Sequence, residues 1–187
     1  MPELVADVFL SVDGFAAGSR SPGYFGFGGP DLERWIGDEM DHGYLTVMGR
    51  KTYALLSSLP EQARDESWHR MAAAPTVVFS RTLESASWPG ATINSNDVVD
   101  EVPTLKARAE GDLRTVGSLS LVRQLLDGGQ LDRLRLMVFP LIVGETGREP
   151  FFADLADVAL EMVSETVLDG RVVLLDYRPA GLPPYAD

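Results

Sequence analysis

Four short stretches of this chain carry the residues that could do chemistry. Gly49 is followed by Arg50, Lys51 and Thr52, two cations and a hydroxyl at the point where an apolar run gives way to helix-forming residues. Ser80 and Arg81 follow the apolar run Val77-Val78-Phe79. Gly117, Ser118, Leu119 and Ser120 follow Leu113-Arg114-Thr115-Val116. Asp13 and Gly14 follow the first apolar run. A strand that turns at a glycine into a helix brings free N–H groups and the positive end of the helix dipole to one point, which suits an anion such as a phosphate. The same residues also fit a solvated strand–turn–helix, a serine-capped helix and a plain Asp-Gly turn.

The elements that must position these residues alternate in type. Strands are expected at Leu4–Ser11, 45–48, 75–79, 91–93, 113–116 and 131–140. The first is mostly apolar and is therefore expected inside a sheet. Helices are expected at 31–42, 53–59, 102–109 and 117–126, the last stopped by Asp127-Gly128-Gly129. Leu160–Leu168 and residues 172–177 read as two strands joined by Asp169-Gly170, a hairpin. Strands alternating with helices and closing on a hairpin imply an α/β sheet, largely parallel with an antiparallel edge. A ligand would lie across the carboxyl ends of its strands. One domain is expected over residues 1–178, with an irregular tail over 179–187. Residues 17–30 form a glycine-rich loop with Tyr24, Phe25 and Phe27, which reads as a lid over a flat substrate or as a subunit contact. On the helix over 31–42, Asp38, Glu39 and Asp41 read as a solvated acidic face.

Met48-Gly49-Arg50-Lys51-Thr52-Tyr53 resembles the cofactor motif of the dihydrofolate reductase superfamily, nearest to the reductase domain of bacterial riboflavin biosynthesis. Ser11-Val12-Asp13-Gly14-Phe15, Val78-Phe79-Ser80-Arg81, Val116-Gly117-Ser118 and the run from Asp132 to Phe152 resemble further stretches of that family in the same order. The resemblance implies a three-layer dihydrofolate-reductase-like α/β fold and NADPH as cofactor. It would place Gly49, Arg50, Lys51 and Thr52 on the phosphates, with Arg50 and Arg81, helped by Ser80, meeting the adenosine 2′-phosphate. An arginine fork suits that dianion. Gly117, Ser118, Leu119 and Ser120 would meet the pyrophosphate, although the chain has one glycine where relatives often have two or three. Asp13 would lie beside nicotinamide and substrate, as a candidate to orient substrate or relay a proton. In folate reductases an acid on the first helix faces the substrate; Asp31 and Glu33 are nearest in position, and neither is assigned.

The resemblance thus implies an NADPH-dependent reductase that passes hydride to a pterin- or folate-like ring or to the ribosylamino-pyrimidine of riboflavin synthesis. The alternative is a non-catalytic module that binds a nucleotide or a drug on the same fold. Relatives of the riboflavin type are commonly homodimers, so a homodimer is expected. The formal net charge of −12 argues against a nucleic-acid partner or an anionic membrane. The absence of cysteine removes disulfides, thiol nucleophiles and thiolate metal sites, and a count of two histidines argues against a histidine-rich metal site. With neither signal peptide nor transmembrane run at its start, the chain is expected in the cytoplasm. No zinc deaminase domain is expected beside it.

Overall fold

The computed structural model describes residues 1–186; Asp187, the last residue of the expected tail, lies outside the described residues. Eight strands form one sheet in the order β5-β4-β3-β6-β1-β7-β10-β9. In chain order they are β1 (Leu4–Ser11), β3 (Leu45–Gly49), β4 (Thr76–Phe79), β5 (Ala91–Asn94), β6 (Leu113–Thr115), β7 (Arg133–Phe139), β9 (Leu160–Leu168) and β10 (Val172–Pro179). The first six in the spatial order run parallel, and β10 and β9 return antiparallel as a hairpin. The expected α/β architecture with an antiparallel edge is therefore present, and β1 lies inside the sheet between β6 and β7. Two short strands that the patterning does not announce, β2 (Phe15–Gly18) and β8 (Gly147–Pro150), pair as a separate ribbon.

Alternation along the strands divides the helices between two layers. Val47 and Leu136 point to one face, where α4 (Val98–Arg108) and α5 (Leu119–Asp127) supply Val98, Val102, Leu121, Val122, Leu125 and Leu126. Met48 and Met137, one residue on, point to the other. There Leu32, Trp35 and Ile36 of α1 (Pro30–Asp41) pack over β7 and β10. Tyr53 of α2 (Arg50–Ser57) and Trp68, Met71 and Ala72 of α3 (Glu66–Ala73) pack over β3 and β4. The helix over 66–73 lies in a stretch whose mixed polarity hides its one buried side.

Two expectations need correction. The helix expected from residue 102 begins at Val98, because Asp97 caps it by accepting the N–H of Val99 at 3.0 Å, and Pro103 is accommodated inside it. Glu39 is buried rather than solvated: its carboxylate accepts from both terminal nitrogens of Arg135, at 2.8 and 2.6 Å. The tail is irregular over residues 180–186 and is tied to the body: Ala180 donates to Ala159, and Ala159 donates to Gly181, each at 2.8 Å. Among the described residues no helix is long and apolar enough to cross a membrane.

Candidate active site

Strands β4, β3 and β6 are neighbours, so their carboxyl ends open on one edge of the sheet. A cleft of about 440 Å³ lies there. It is lined by Gly49, Arg50 and Lys51 from the β3–α2 turn, by Ser80 and Arg81 after β4, and by Ser118 and Ser120 at the start of α5. Three turns that are far apart in sequence thus meet at one place. Thr52, Gly117 and Leu119 are not in the cleft wall but stand directly behind it. Thr52 packs against Gly117, and Leu119 packs into the core between α5 and the sheet.

The two glycines let the turns approach. The N–H of Gly49 donates to the carbonyl of Gly117 at 3.4 Å. A β-carbon on Gly49 would meet Ser118 Oγ at 2.5 Å, and one on Gly117 would meet Thr52 Oγ1 at 2.5 Å. Gly117 also has φ +53, the left-handed region that a side chain disfavours, and the Gly117–Ser118 peptide bond is cis. Neither α2 nor α5 receives a side-chain cap on its first N–H groups. Two helix starts, both with open donors and a positive dipole end, therefore face the same cleft.

The side chains divide by how free they are. Among the described residues Arg50 and Lys51 have no carboxylate partner. Arg81 stands 3.7 Å from Asp97, which lines the cleft opposite α2. Ser80 Oγ accepts the N–H groups of Thr82 and Leu83, at 3.2 and 2.9 Å, so this hydroxyl shapes the loop that carries Arg81. Ser118 and Ser120 join their hydroxyls at 3.0 Å across the first turn of α5. Asn96, Asp97 and Gln124 also line the cleft, and the motifs in the sequence do not mark them.

Asp13 sits apart from this cleft, at the end of β1. Its carboxylate accepts from Ser11 Oγ at 2.6 Å, from the Val143 N–H at 3.1 Å and from the Gly144 N–H at 2.8 Å. The Ser11 hydroxyl first, then the Gly144 amide, hold its pKa down from 3.8 to about 2. A carboxylate so engaged ties the β1 turn to the 141–144 loop and is a poor proton relay.

On the α1 face, Asp31 is taken up by bonds within the protein, and Glu33 is exposed. Asp31 accepts from the Asp169 N–H and from Arg34, while the Asp169 carboxylate accepts the N–H groups of Asp31 and Leu32 and so caps α1 from the β9–β10 turn. Deeper in the same layer Arg135 binds Asp7 and Glu39, and Arg114 binds Asp7. Burial pushes the Glu39 carboxyl up, but bonding to Arg135 and the nearby Arg114 charge outweigh it, and the net shift is downward. The Tyr44 hydroxyl donates to Glu39, and burial followed by that carboxylate pushes its pKa up to about 12. Over Phe9 and Phe139, at the carboxyl ends of β1 and β7, lie Tyr24, Phe25 and Phe27 from the loop over residues 17–30. That loop is thus packed on the sheet over β1 and β7. No group of three or more His, Asp or Glu among the described residues could hold a metal ion.

Residues 2–174 match the sequence model of the RibD C-terminal domain family. The uncharacterized protein YyaP of Bacillus subtilis (strain 168) is 26% identical over 181 residues, 94% of each chain. Among solved structures, a putative riboflavin biosynthesis protein from Shewanella sp. PV-4 superposes with a TM-score of 0.73 at 17% identity, covering 95% of this chain and 99% of that one. A pyrimidine reductase-like protein from Corynebacterium diphtheriae gives 0.69 at 16% identity, with 96% and 92% covered. A diaminohydroxyphosphoribosylaminopyrimidine deaminase/5-amino-6-(5-phosphoribosylamino)uracil reductase from Thermotoga maritima gives 0.66 at 20% identity. This chain covers 57% of that longer protein, and 96% of its own length is matched.

Proposed function

The chain belongs to the RibD C-terminal domain family, and on that footing we propose that it is a riboflavin-biosynthesis-like reductase that uses NADPH. The observation that carries the reading is the meeting of two uncapped helix starts with Arg50, Lys51 and Arg81 in one cleft of a chain with net charge −12. Three cations gathered on such an acidic chain call for an anion. The bare contacts of Gly49 and Gly117 let backbone N–H groups reach it. Arg50 and Arg81 would hold the adenosine 2′-phosphate, and the first turns of α2 and α5 the pyrophosphate. When bound, the cofactor supplies a hydride; the protein's part is placement and electrostatics.

The next strand beyond β6 is β1, so the reacting end of an extended dinucleotide would lie near Ser11 and the Asp13 turn. Asp13 would hold the β1 turn and the 141–144 loop together as the wall of the substrate site. The Tyr24 loop would cover the substrate. A folate-like substrate fits less well than a pyrimidine-type one. On α1, Asp31 is bonded to the Asp169 N–H and to Arg34, and Glu39 is paired with Arg135. The non-catalytic alternative keeps one observation in its favour: Asp13, the acid nearest the reacting end, is already fully engaged.

The homodimer is part of the same proposal. Strand β9 ends the sheet, and it exposes Leu160, Met162, Val163 and Val167 by 38–58%. An apolar edge of this length invites a second copy. The cytoplasm is proposed as its location.

Titration of NADPH, NADH and flavin by fluorescence, followed by turnover with a panel of pterin, pyrimidine and quinone substrates, tests the reading. Tight NADPH binding with oxidation by one member supports it. NADPH binding without oxidation by any member favours the non-catalytic module, and no NADPH binding overturns the reading.

A further inference from the structure

One acid stands among the cations of the cleft. Asp97 precedes α4, and its position is set by capping: Oδ1 accepts the Val99 N–H at 3.0 Å, and its carbonyl accepts the N–H of Glu101 at 3.1 Å. The other oxygen, Oδ2, lies 3.7 Å from Arg81 Nη2. Both side chains line the same cleft as Arg50 and Lys51. Capping needs only an oxygen, and asparagine supplies one as well as aspartate does. The charge on Asp97 is therefore surplus to the helix.

That charge acts on whatever enters. The Arg81 side chain is 76% exposed and Asp97 43%, so their ion pair is weak and can be exchanged for a better partner. A phosphate approaching Arg81 competes with Asp97 for the guanidinium and then remains beside a carboxylate of like charge. A ribose bearing a free 2′-hydroxyl meets the opposite situation, because a carboxylate accepts the hydroxyl's hydrogen bond. An acid that accepts from a ribose hydroxyl is the usual device for preferring the unphosphorylated coenzyme.

We infer that Asp97 is a specificity-determining residue, which narrows the preference for NADPH over NADH by competing for Arg81 and by offering an acceptor to an unphosphorylated ribose. The inference rests on the reading of the cleft as a coenzyme site. It assigns Arg50 and Lys51, which have no such competitor among the described residues, the larger share of phosphate binding, and leaves Arg81 conditional.

The test uses Asp97→Asn, Arg81→Ala and the double variant of the full chain. Affinities for NADPH and NADH are read from nicotinamide fluorescence, and 2′-AMP is used as a competing probe at low and high salt. Thermal melting checks that Asp97→Asn keeps the α4 cap. The expected result is about two- to fivefold tighter binding of NADPH and 2′-AMP by Asp97→Asn, the scale of an exposed ion pair, with NADH unchanged or weaker, and most of the gain lost when Arg81 is also alanine. High salt should shrink the gain. An unchanged NADPH:NADH ratio, or a gain that survives Arg81→Ala intact, overturns the role of Asp97 while leaving the reductase reading in place. A wild-type chain that binds neither coenzyme overturns both.

Discussion

Thr52 Oγ1 lies 2.5 Å from the point that a β-carbon on Gly117 would occupy. This is a close approach between the first turn of α2 and the turn after β6. It brings the turn after β3 and the turn after β6 within reach of one ligand.

Gly117→Ala is accordingly expected to cost about 1–3 kcal/mol, from the left-handed backbone and the overpacked contact together. Thr52→Ala in the same chain should recover the contact part and leave the backbone part. Chemical denaturation of the two single variants and the double variant measures this. Equal stability of Gly117→Ala and wild type would mean that the two turns are not held as described.

Arg135 is the hub of the buried charges beneath α1. With its side chain 11% exposed and those of Asp7 and Glu39 at 5% and 9%, removal of the cation leaves Glu39 without a cationic partner among the described residues and Asp7 with Arg114 alone. Arg135→Met is expected to destabilise the fold by about 3–5 kcal/mol, the range for breaking a buried pair. Replacing Glu39 by an apolar residue at the same time should recover part of the loss, because Asp7 still has Arg114. A loss below about 1 kcal/mol in denaturant melts would contradict the network's role.

Asp13 predicts a pH signature. Its pKa in the folded chain is depressed from 3.8 to about 2. Its contribution to stability is therefore full above the unfolded value and fades as the pH falls through the folded one. Asp13→Asn cannot accept the Gly144 N–H on its amide nitrogen, so it should melt below wild type at neutral pH. The difference should shrink between about pH 4 and pH 2. A difference that stays constant across that window would remove the carboxylate as its cause.

The fold was readable because its pattern is local. The near-continuous apolar runs of β1 and β3, the glycine stop after α5 and the Asp169-Gly170 turn each declare themselves within a few residues. The meeting of Gly49, Arg50, Ser80 and Gly117 was readable through a resemblance that puts them at successive strand ends. What stayed hidden depends on partners distant in sequence. Glu39 looks like any acid on a polar helix until Arg135, 96 residues away, reaches it. Asp97 falls outside the helix expected from residue 102, and the proximity of Arg81 arises from the parallel pairing of β4 with β5. Strands β2 and β8 are short and contain glycine or proline, so neither has enough alternation to stand out.

The central claim is that the cations at the start of α2 hold a coenzyme 2′-phosphate, and Arg50→Ala tests it most directly. NADPH and NADH affinities of the variant and the wild type are measured side by side by fluorescence titration. The account predicts that NADPH binding weakens by about 1–3 kcal/mol, the range for charge-assisted hydrogen bonds, while NADH binding is unchanged. An equal loss for both coenzymes, or no loss for either, would contradict it.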